Sequence, residues 1–151
     1  GMRNLASHLN ATAIVLWVGS LWAIGFIAAP TLFSVLKENT QLAGLLAGKM
    51  FTLTAYVGMA CAFYILIFRL AVEGTGAFKQ WFFWIALAML ALILIGHFGV
   101  QPIIQSLKVE GGAAEVMQSV VANRFARWHG IASILFVMQS LLGLVLILKQ
   151  R

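Results

Sequence analysis

The charged residues leave four long uncharged stretches. Between Arg3 and Lys37 lie 33 residues without Lys, Arg, Asp or Glu, between Lys49 and Arg69 19, between Lys79 and Lys108 28, and between Arg127 and Lys149 21. A helix crosses a bilayer with ~20 predominantly apolar residues, because in hydrocarbon every backbone amide must be bonded within the segment itself. Each stretch is about that long or longer. The pattern predicts an all-α integral membrane protein: an antiparallel bundle of four transmembrane helices over residues 10–36, 42–72, 78–107 and 113–149, in a single domain covering 1–151. An even number of spans puts both termini on one side.

Within these stretches a few residues mark local departures. Pro30 lacks an N–H and is expected to break or bend the first helix. The third helix continues past Pro102 to about Leu107, and Lys108 to Gly112 forms a polar turn around the Gly111-Gly112 breaker. Residues 113–127 are amphipathic, so helices three and four are expected to extend beyond the membrane, the last entering hydrocarbon at Trp128. Trp81, Phe82, Phe83 and Trp84 read as an interfacial aromatic belt. Gly44 and Gly48 lie one turn apart on helix two, a spacing that lets another helix approach closely. Pro30 to Lys37 and Pro102 to Lys108 end their helices alike, which fits either a duplicated two-helix unit or chance.

Composition removes the soluble alternatives. Hydrophobic residues make up 62% of the chain, charged residues 9%, and the mean hydropathy is +0.99; a soluble domain has roughly a quarter charged residues. The net charge of +6 does not indicate nucleic acid, since the basic residues stand singly at helix ends, where they anchor in lipid headgroups. The first apolar segment exceeds the ~7–15 residues of a cleaved signal and is expected to remain as an anchor. Five basic residues fall on each side of the membrane. The termini are expected in the cytoplasm because several of the opposing charges lie in helical extensions. Cys61 is the single cysteine, so it has no intrachain disulfide and reads as a small packing residue.

Candidate chemistry lies among polar residues inside the spans, which are costly there unless partnered or used. His97 and Gln101 share a face of helix three with Lys108. Glu115, Gln118, His129, Ser133 and Ser140 share a face of helix four, and helix one offers a polar face at Asn10 and Trp17 with Ser20 on its flank. Counted from the Gly111-Gly112 turn, His97 and His129 differ in depth by only ~4.5 Å. They are therefore expected to form, with Gln101 and Ser133, a site for a small cation, a transition metal being the best match to imidazole. His129 also reads as an interfacial residue beside Trp128 and Arg127. The chain has no Asp, and its four Glu fall in loops or in the amphipathic extension of helix four. No intramembrane carboxylate is available for acid–base work, and no catalytic residue is expected.

The run Trp17-Val18-Gly19-Ser20-Leu21, then Ala29-Pro30-Thr31-Leu32-Phe33, then Gly44, Gly48 and Phe51, with Phe125, His129, Gly130 and Ser133 late on, resembles the transmembrane protein 205-like family over essentially the whole chain. The resemblance implies a four-helix membrane domain, in its bacterial branch an inner-membrane protein of unknown function. More distantly the chain is similar to copper-resistance D-like proteins and HemJ-type oxidases, whose first helix carries His-x6-Trp. Here Asn10 stands at the histidine position before Trp17, and an amide does not replace imidazole on heme iron. Three readings result. The first is a protein that binds or helps transport a small cation at a polar seam between helices three and four. The second is a structural or partner-binding subunit, assembled as a homo-oligomer or membrane complex. The third is a heme-binding redox protein.

Overall fold

The computed structural model describes residues 1–110 and 118–150, the side chains at 108–110, 118–122 and 125 excepted. Among the described residues four helices are long and apolar enough to cross a membrane: Met2–Val35, Thr40–Lys79, Trp81–Leu107 and Ala126–Leu148. We refer to them as the first to fourth spans. Their length and composition make the chain an integral membrane protein whose surroundings are a lipid bilayer. The first helix begins at Met2 rather than at residue 10. The fourth is helical from Gln118 and so starts ahead of its apolar part. The expected Gly111-Gly112 turn and Glu115 lie outside the described residues, as do the side chains of Lys108, Glu110, Gln118 and Phe125.

The second helix opens at a capped end, where the Asn39 side chain accepts a hydrogen bond from the Leu42 N–H at 3.1 Å. It closes at Gly74, whose φ of +59° lies where a side chain would be strained. A 3-10 segment, Gly74–Lys79, then leads to the third span. Neither proline breaks its helix. Pro30 follows a π turn at Ile24–Ala28, and Pro102 follows another at Ile95–Val100. The wider turn moves the proline ring off the carbonyl one turn earlier with which it would clash in α geometry. Thr31 Oγ1 also donates to the Ile27 carbonyl at 2.6 Å.

In cross-section the spans follow one another around a ring: first beside second, second beside third, third beside fourth and fourth beside first. Neighbours are antiparallel, and the diagonal pairs run parallel. Tyr64 Oη donates to the Ala6 carbonyl at 2.8 Å, and Arg69 Nη2 donates to the Gln150 carbonyl at 3.3 Å with its guanidinium 4.2 Å from the Phe82 ring centre. These contacts place both termini at one end of the bundle. The densest core lies in that half, where Ile14, Trp17, Ile65, Phe82, Met89 and Leu146 are fully enclosed. Outward positions are just as apolar, with Val15, Phe63, Ile67, Phe98 and Leu141 exposed. That distribution suits lipid on the outside, which accepts apolar side chains as readily as a protein interior does.

Candidate functional site

His97 sits in the π turn of the third span and is half-buried. Its Nε2 lies 3.3 Å from Tyr56 Oη on the second span, and the two rings meet edge to face at 5.1 Å. Phe98 also meets the imidazole edge to face, with ring centres 4.8 Å apart. In the tautomer in which Nε2–H donates to the Tyr56 hydroxyl, the contact fixes the ring and leaves the Nδ1 lone pair for a ligand. Gln101, the next residue after the π turn, is half-buried. Tyr56 was not anticipated from the sequence; a tyrosine in mid-span, away from the membrane interface, is the signal that marks it.

On the fourth span His129 is exposed, and the Ser133 hydroxyl donates to the His129 carbonyl at 2.9 Å. The packing contacts set the axial register between this helix and His97. A Cβ built on Gly143 would meet Met89 at 3.6 Å, and antiparallel counting from that pair puts His97 opposite position 135. Phe51 meets Phe136 with ring centres 5.3 Å apart; along these parallel diagonal helices the same offset carries Tyr56, the neighbour of His97, to position 141. Gln139 falls between the two limits. His129 lies six to twelve residues away, roughly 9–18 Å at 1.5 Å per residue.

Gln139 is buried at 8% exposure, and its Oε1 has no hydrogen-bond partner. Thr54 has the same offset from it as Phe51 has from Phe136, is buried at 6%, and donates its hydroxyl to the Met50 carbonyl at 2.8 Å. Both were overlooked in the sequence. The signal for Gln139 is that no other amide side chain interrupts the uncharged stretch between Arg127 and Lys149.

One turn toward the termini Trp17 is fully buried with Nε1 unbonded, and farther along the same face Asn10 is buried with Oδ1 unbonded. The polar face predicted on helix one therefore points into the bundle. Trp22 Nε1, by contrast, donates to the Ser140 carbonyl at 3.2 Å beside an apolar groove lined by Phe26, Val137, Leu141 and Leu144. Gly44 and Gly48 have nothing within 4 Å of a built Cβ, so their open side is turned away from the neighbouring spans. Among the described residues no group of three or more His, Cys, Asp and Glu could hold a metal ion. A metal here would depend on imidazole together with neutral oxygen donors.

Over residues 12–113 the sequence matches the model of a family described as a domain of unknown function (DUF4149). No curated protein and no solved structure matches the chain.

Proposed function

The chain belongs to the DUF4149 family, and from its own residues we propose that it binds, or helps to move, a small cation at a polar seam between the third and fourth spans, a transition metal being the best fit. The observation that carries this reading is His97. It is an imidazole in mid-span whose Nε2 is held by Tyr56 Oη at 3.3 Å, and such an outer hydrogen bond orients a ligating ring and raises its basicity. Neutral imidazole suits zinc and copper. With few donors and no carboxylate in the seam, binding is expected to be weak, with water or a second subunit completing the coordination. Gln101 flanks His97, and His129 with Ser133 supplies further donors toward the membrane face opposite the termini. In this reading the bilayer is a bacterial inner membrane with the termini in the cytoplasm. Zinc titration of the parent, His97→Ala, His129→Ala and the double variant tests it. Loss of binding in His97→Ala is the expected result, and unchanged binding in both single variants removes the site.

A second reading, a partner-binding or self-associating subunit, is favoured by one observation. The open positions at Gly44 and Gly48 leave backbone that another helix can approach. Gly44→Leu with Gly48→Leu leaves the packing between the spans untouched and should lower the native mass in mild detergent if helices associate there; an unchanged mass excludes association through that face.

A further inference from the structure

We infer that Gln139 and Thr54 form the oxygen half of a cation site in the middle of the bundle, with His97 as its nitrogen donor. This rests on the cation-binding reading above and changes its composition: the partner of His97 on the fourth span is Gln139, not His129.

Three observations carry it. Gln139 Oε1 is an acceptor with no partner, on a side chain more than nine-tenths buried. A carbonyl oxygen stranded in a bilayer-spanning core is costly unless a donor or a cation reaches it. Register supplies the second. The Phe51–Phe136 contact fixes the offset between the diagonal helices, and three residues further on the same offset pairs Thr54 with Gln139, both buried. Four residues beyond stand Gly58 and Gly143. At each of these a built Cβ would press on neighbouring side chains, 2.8 Å from Ile93 Cδ1 at Gly58 and 3.2 Å from Val18 Cγ1 at Gly143. The absence of side chains there lets the diagonal helices share one narrow centre. Third, His97 is half-buried, with buried Ile93 and Val100 one turn to either side of it, at the depth that the Met89–Gly143 and Phe51–Phe136 contacts bracket around Gln139.

The donor set sorts the ligands. An amide oxygen and a hydroxyl oxygen present lone pairs, since Thr54 spends its proton on the Met50 carbonyl, and the His97 ring nitrogen left by Tyr56 presents another. Three acceptors without a formal charge at one depth select a cation over an anion. Mixed nitrogen and oxygen donors favour a borderline divalent metal such as zinc or cobalt over a soft one such as copper(I). With no carboxylate to offset its charge, such an ion keeps part of its water.

The test is titration of the full chain in nanodiscs with Zn²⁺, and with Co²⁺, whose d–d absorption reports coordination directly. The parent is compared with Gln139→Leu, Thr54→Val, His97→Ala, His129→Ala and Gln139→Glu. Gln139→Leu should weaken binding on the order of tenfold or more and alter the Co²⁺ spectrum, while His129→Ala should bind as the parent does. Gln139→Glu should bind more tightly, a gain that damaged folding cannot imitate. If His97→Ala and His129→Ala lose binding while Gln139→Leu keeps it, the proposed composition is overturned and the cation-binding reading stands. If the parent binds neither ion, the reading itself fails and the site with it.

Discussion

Trp17 and Gly58 set a tight packing constraint at the scale of single residues. The indole is fully enclosed, and a Cβ on Gly58 would lie 2.8 Å from its Nε1. Glycine is needed there for the missing methyl, not for an unusual backbone angle. Gly58→Ala should therefore cost about 1–3 kcal/mol in reversible unfolding from detergent. Gly19→Ala, with nothing within 4 Å of its Cβ, should be neutral or slightly stabilising, since alanine is the better helix former. Equal effects at the two sites would mean that the ring yields. In the sequence Trp17 stood out as part of a polar face, but Gly58 carried no mark, because glycine is common in membrane helices for several reasons. His97 was legible as a costly intramembrane group. Its hydroxyl partner and the buried Gln139 were not, because hydrophobic patterning does not say which side of a uniformly apolar helix faces inward.

At the level of elements, the turn into the second helix depends on a single side chain. Asn39→Ala removes the acceptor for the Leu42 N–H and should lower stability by about 0.5–2 kcal/mol, while Asn39→Ser should stay close to the parent. Matching losses in the two variants would show that the cap contributes nothing. The prolines were legible as disturbances, but the form of the disturbance was not. A break or bend was expected near Pro30; the helix is unbroken from Met2 to Val35 and carries a π turn just ahead of the proline. Sequence periodicity shows such an insertion only when an apolar stripe jumps against a polar background, and these helices have almost no polar background.

For the whole molecule, the bilayer's thickness made the architecture readable, since four uncharged stretches of sufficient length leave little choice of fold. Depth relations between helices were harder. The ruler that paired His97 with His129 started at Gly111-Gly112, outside the described residues, and took both helices as straight α-helices, whereas the third carries a π turn at His97 itself. Contacts at Phe51–Phe136 and Met89–Gly143 instead set the depth of His97 near Gln139. Topology is directly testable. With Cys61→Ala as background, cysteines placed at Gly1 and at Lys149 should react with a membrane-impermeant maleimide from the same side, and reaction from opposite sides would remove one span.

The enclosure of Trp17 also gives the protein an optical probe of its own centre. Of its five tryptophans, Trp17 is 0% exposed, whereas Trp22, Trp81 and Trp84 are 38%, 74% and 49% exposed and face outward. With half-buried Trp128 replaced by Phe, brominated lipids should quench those three and spare Trp17, leaving a blue-shifted emission from an indole about one turn from Thr54 and Gln139. A variant retaining Trp17 as its sole tryptophan would then signal, without an added label, the arrival of any ion or water molecule at the middle of the membrane.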